Sequence, residues 1–131
     1  QAHACPVCDM NTMQCRMLPK MSVARSGAGA CFGPDGALYV TGGSSDGCVA
    51  LDSVERIDPR EGNWQQLAPL PSARGYMSTG FSLNGVMHAA GGFDDSGCTD
   101  AFEAYDPRAD GWRVMESLPV HRSNLATVFL E

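Results

Sequence analysis

The sequence predicts an all-β fold, a β-propeller of about 2.75 four-stranded blades that forms part of a ring. Three observations predict it. Sequence features recur in the same order at a period of 48–49 residues. Each period has room for four short strands. Glycine-centred turns punctuate them, in a chain of 131 residues with 15 Gly and 8 Pro.

The period is read from matched features. Leu70-Pro71-Ser72-Ala73-Arg74 aligns with Leu118-Pro119-Val120-His121-Arg122, and Trp64 with Trp112. Glu55-Arg56-Ile57-Asp58-Pro59 aligns with Glu103-Ala104-Tyr105-Asp106-Pro107, and Gly42-Gly43 with Gly91-Gly92. Arg25, after Met21-Ser22-Val23-Ala24, stands one period before Arg74. Asp9 and Cys15 stand one period before Asp58 and Trp64. The units are therefore 1–24, the degraded second half of a blade; 25–73 and 74–121, two whole repeats; and 122–131, the first strand of a further blade.

Within a repeat, the first strand is rich in small residues (Ala28–Phe32, Met77–Phe81), as the crowded wall of a central channel requires. The second strand (Ala37–Thr41, Val86–Ala90) is entered through Pro34-Asp35-Gly36 or Leu83-Asn84-Gly85. Asp-Gly and Asn-Gly favour hairpins because glycine accepts positive φ. It ends on the Gly-Gly pair, which permits close backbone packing. The third strand (Ser53–Ile57, Ala101–Tyr105) stops at Asp-Pro, and the fourth starts at the Trp, which fills the space between blades. Two, four, four and one strands do not close a ring. Open sheet edges invite pairing, so the ring is expected to be completed by missing sequence or by self-association.

Composition narrows the function. A net charge of −6 argues against a nucleic-acid partner, which needs a basic face. No apolar run is long enough to span a membrane. Six cysteines are present, with Cys48 and Cys98 at nearly matching repeat positions. Equivalent sites in neighbouring blades lie beyond disulfide reach, so free thiols in a reducing, cytoplasmic compartment are expected. His3, Cys5, Cys8 and Cys15 hint at zinc. Residues three apart on a strand point to opposite faces, so no metal and no cofactor are expected.

The Gly-Gly pairs, the Glu-x-x-Asp-Pro segments, Trp64, Trp112, Leu-Pro and the repeating Arg resemble a Kelch repeat. Arg25-Ser26-Gly27-Ala28-Gly29-Ala30 resembles the repeat opening of the Kelch-like (BTB-Kelch) ubiquitin-ligase adaptors. The resemblance implies a protein–protein interaction module. Substrate recognition for a cullin-type ubiquitin ligase is one form of it, and a structural or scaffold subunit, such as an actin binder, is another. A copper-oxidase-like enzyme is the catalytic alternative. His3, His88 and His121 are too scattered to serve it, and no catalysis is expected. In some Kelch-like adaptors the repeating arginine lines a pocket for an acidic peptide, so Arg25, Arg74 and Arg122 are candidate contacts for a protein or acidic peptide. The same arginines could equally tie neighbouring blades together. The rim they share with the loops between second and third strands adds Ser26, Ser44, Ser45, Asp46, Tyr76, Phe93, Asp94, Asp95 and Ser123 as candidates, since recognition commonly sits on loops of a rigid scaffold.

Overall fold

The computed structural model describes residues 21, 23, 25–46, 49–99 and 101–115, together with the backbone of 6–9 and 14–17. Twelve strands are formed among them: β1 (Pro6–Asp9), β2 (Gln14–Met17), β3 (Gly29–Phe32), β4 (Leu38–Thr41), β5 (Val54–Ile57), β6 (Trp64–Leu67), β7 (Ser78–Phe81), β8 (Met87–Ala90), β9 (Phe93–Asp94), β10 (Gly97–Cys98), β11 (Phe102–Asp106) and β12 (Gly111–Val114). Two four-stranded antiparallel sheets result, in the orders β3-β4-β5-β6 and β7-β8-β11-β12. Each is a meander, the blade expected of a propeller. β1 and β2 form a separate two-stranded antiparallel sheet, with Cys8 opposite Cys15 in register. The further strand expected over 122–131 lies outside the described residues.

Turn chemistry explains the strand limits. Gly36 and Gly85 adopt φ of 82° and 83° in the β3–β4 and β7–β8 turns. Asp58 ends β5: its side chain accepts from the Arg60 N–H at 3.0 Å and from the Arg60 guanidinium at 2.8 and 2.9 Å. These bonds, foremost those of the guanidinium, hold the Asp58 carboxyl down to about 2.

The first blade is covered on both faces, so its second strand β4 is buried throughout, whereas β8 buries Met87, Ala89 and Ala90 and leaves His88 half-buried. Leu38 and Val40 pack with Met21 and Ile57 on one face of β4. Tyr39 turns the other way and joins Ala37, Met87 and Tyr105 between the blades. Val54, Leu70, Met77 and Ala89 fill the same seam nearer the rim. Trp112 closes it, donating its indole N–H to the Ala68 carbonyl of the preceding blade at 2.8 Å. Trp64 packs equivalently against the cluster around Met21.

The glycine pairs let one blade's crossover lie on its neighbour. Gly42 and Gly43 sit at φ of 61° and 92°, and a Cβ on Gly42 would overlap the Arg74 carbonyl oxygen. Gly43 N–H donates to that carbonyl at 2.9 Å. Gly92, at φ 99°, meets the Gly75 carbonyl in the same way. The crossovers and the loops between second and third strands thereby form one rim. The hairpins at Gly36 and Gly85 lie at the opposite end.

Candidate functional site at the loop rim

The rim is assembled from two equivalent bridges one period apart. Ser26 and Ser44 exchange backbone hydrogen bonds, both 2.9 Å. Gly75 and Phe93 do the same, at 2.9 and 2.8 Å. Ser26 Oγ adds a bond to the Ser44 carbonyl at 3.4 Å. The loops of the two blades are joined by the Ala50 N–H, which donates to Asp95 Oδ1 at 3.0 Å.

Between these bridges lies a cleft of about 110 Å³. Ser26, Gly43, Ser44 and Ala50 form one wall. Gly75, Tyr76, Phe93, Asp94 and Asp95 form the other. Tyr76 adopts φ 56°, which is uncommon for a bulky residue. Its N–H donates to the Gly27 carbonyl at 2.7 Å, and its ring covers Gly27, where a Cβ would come within 2.8 Å of the ring. The Tyr76 and Phe93 rings meet edge to face, centroids 6.3 Å apart and 88° between planes. They remain 51% and 39% exposed, an unusual commitment of aromatic surface to solvent.

Six candidates from the sequence therefore converge on one cleft: Ser26, Ser44, Tyr76, Phe93, Asp94 and Asp95. Asp46 lies beside it, its Oδ1 accepting from the Val49 N–H at 2.9 Å and from Ser44 Oγ at 3.1 Å. Ser45 is on the same loop, outside the cleft lining. Arg122 and Ser123 lie outside the described residues. Gly27, Gly43, Ala50 and Gly75 also shape the site. Residues 26 and 75, and 44 and 93, are in phase with the repeat, and that phase could have exposed the paired bridges.

Arg25 and Arg74 are placed differently from a ligand-facing rim pair. They are 3% and 0% exposed. Arg25 donates to the Gly42 and Ser53 carbonyls, each at 2.9 Å, and forms an ion pair with Glu55 at 2.8 Å. Arg74 donates to the Ala89 carbonyl at 3.0 Å and to Ser72 Oγ at 3.0 Å, and pairs with Glu103. The physical reason is the repeat itself, since each of the two whole repeats carries a buried glutamate on its third strand, Glu55 and Glu103. Rather than facing a ligand or tying neighbouring blades together, the guanidinium groups of Arg25 and Arg74 fasten each blade's entry to its own sheet.

The opposite end carries a different chemistry. The Arg56 guanidinium bonds Asp35 at 3.0 Å and the Tyr39 hydroxyl at 3.2 Å. Burial pushes the Asp35 carboxyl up, but bonds from the Ala37 N–H, Arg56 and Tyr39 hold it below its usual range. Among the described residues, no three His, Cys, Asp or Glu side chains are grouped to hold a metal ion. Cys31 and Cys98 are free thiols. No described helix is long and apolar enough to cross a membrane.

Comparison with known proteins follows the same division into blades. The Kelch motif matches residues 24–71 and again 74–119. The chain belongs to the Kelch motif family. Kelch-like protein 13 of Bos taurus and of Homo sapiens are each 39% identical to this Kelch chain over 64 residues. Kelch-like protein 9 of Mus musculus matches it equally. Each match covers 46% of this chain and 10% of the relative, so the chain spans about one tenth of the length of the curated relatives it matches. The solved structure of YjhT superposes with a TM-score of 0.72 over 85% of this Kelch chain and 32% of that one. Its 19% identity makes this a likeness of fold.

Proposed function

We propose that this Kelch chain is a protein-binding module whose contact surface is the loop rim around Tyr76 and Phe93. The observation that carries the reading is the exposed edge-to-face pair of those rings in the wall of the rim cleft, with Ser26, Ser44, Asp94 and Asp95 around them. Aromatic side chains held rigidly at a surface are the residues that dominate protein interfaces, and exposed apolar patches on propeller loops mark interaction sites. The finer reading, suggested by the likeness to Kelch-like proteins, is substrate recognition for a cullin-type ubiquitin ligase; co-purification of a cullin with the full-length protein tests it. An acidic ligand rests on rim arginines, and the burial of Arg25 and Arg74 against Glu55 and Glu103 withdraws that support.

A site-specific photo-crosslinker tests the rim. Benzoylphenylalanine at Phe93 is expected to capture a protein partner in cell extract. The same group at Leu83, exposed on the opposite hairpin, is expected not to. Equal capture from both positions, or none from Phe93, rejects the rim.

A further inference from the structure

We infer that the rim cleft accepts a cationic side chain, an arginine or lysine of a partner protein, laid against Tyr76 and Phe93 and held by Asp94 and Asp95; this rests on the rim being the protein-binding surface.

Charge complementarity argues for that occupant. The rim's described cations, Arg25 and Arg74, are buried and neutralised by Glu55 and Glu103. The remaining described arginines are elsewhere: Arg56 and Arg60 reach towards Asp35, and Arg108 and Arg113 line a depression with Asn84 and Val86 at the hairpin end. Asp94 and Asp95 therefore face the rim's solvent without an exposed described arginine beside them, on a chain whose net charge is already −6. A carboxylate-bearing ligand would meet like charge there. A cationic one would meet a negative field.

The aromatic pair favours the same occupant. A guanidinium or ammonium is attracted to the face of an aromatic ring. The edge-to-face arrangement, with planes at 88°, leaves ring surface open to the cleft while the partner ring braces it. Tyr76 is fixed in place by its bond to the Gly27 carbonyl, so little ordering is needed on binding. Asp95 Oδ1 is engaged by the Ala50 N–H and Asp94 Oδ1 by the Ser96 N–H, at 3.0 and 2.8 Å. Those bonds orient both carboxylates and leave one oxygen of each without a donor among the described residues. A guanidinium fork suits such oxygens. The ring pair beneath and the carboxylates alongside match the apolar stem and charged head of an arginine.

The test uses the whole 131-residue chain, isotope-labelled, titrated in separate NMR experiments with N-acetyl-arginine methylamide and N-acetyl-glutamate methylamide. The arginine probe is expected to shift the Tyr76, Phe93 and Asp94 amides saturably. The combined D94N/D95N variant keeps a side-chain oxygen to accept from the Ser96 and Ala50 N–H groups and should weaken that binding about tenfold. Raising salt should weaken it as well. If the glutamate probe binds those amides as well as the arginine probe or better, the charge assignment is overturned while the rim survives as a binding surface. If neither probe moves them in a well-dispersed spectrum, the cation site is overturned, and crosslinking at Phe93 decides separately whether the rim binds protein. Arginine binding unchanged in D94N/D95N overturns it too.

Discussion

Replacing Glu55 by Gln is the sharpest probe of how the blades are fastened. The change keeps the side chain's size and one acceptor oxygen, so the Arg25 bond at 2.8 Å need not lengthen. What is lost is the charge that compensates a guanidinium with no exposed surface, since both side chains are 0% exposed. Breaking one partner of a buried pair costs about 3–5 kcal/mol. Arg25 retains the Gly42 and Ser53 carbonyls, which favours the lower end, about 3 kcal/mol. A tenfold change in an equilibrium constant is about 1.4 kcal/mol, so folding weakens on the order of a hundredfold. At about 4 °C per kcal/mol for a chain of this size, Tm falls by roughly 12 °C. Urea unfolding followed through Trp64 and Trp112 measures the loss. The companion R25M/E55L, which removes both charges, should recover most of it, because paired apolar replacements of a buried ion pair are commonly neutral or better. A loss under about 1 kcal/mol for E55Q would refute the reasoning: it would mean that water reaches the pair and that Arg25 is available at the rim.

Other perturbations test other joints. Gly92→Ala would drive a Cβ into the Gly75 carbonyl at φ 99° and should cost about 2–3 kcal/mol, read by chemical denaturation. Trp112→Phe removes the donor to the Ala68 carbonyl and should cost about 1–3 kcal/mol in the same assay. Cys31 is pushed up to about 11 by burial, partly opposed by its bond with Thr79. Only about one thiol in a thousand is then thiolate at pH 8, so alkylation mapped by mass spectrometry should mark exposed Cys98 well before Cys31. The same raised value means that folding loses stability as pH rises above the unfolded thiol's range and towards 11. Asp58, held near 2 by Arg60, stabilises the fold above the ordinary carboxylate range, and that contribution is lost as pH falls through about 2. Arg60→Ala should move its NMR titration upward.

Much of the fold was legible because punctuation and repetition agreed. Asp35-Gly36 and Asn84-Gly85 fixed the hairpins, and the observed β3, β4, β5, β7 and β8 fall within one residue of the limits read from the sequence. The small β9–β10 hairpin at Phe93–Cys98 was not legible: its turn depends on Asp94 receiving the Ser96 N–H and on Gly97 at φ 122°, with no Asn-Gly or Asp-Gly signal. The rim's membership was readable from the phase of Ser26, Ser44, Tyr76 and Phe93. The destination of the arginines was not, because an arginine facing a ligand and one facing a glutamate look alike in a repeat. The usable clue was the opposite charge recurring in phase, Glu55 after Arg25 and Glu103 after Arg74. The left-handed Tyr76 is set by its seat on Gly27, a tertiary contact that local sequence does not encode.

A peptide array shows whether the Tyr76–Phe93 rim selects protein segments. The 131-residue chain and its Y76A/F93A variant would be applied to the same diverse peptides, with both shown to be folded. A sequence-selective set of peptides should be held by the parent chain and lost from the variant. Identical binding by both forms, or no selective binding by the parent, would contradict it.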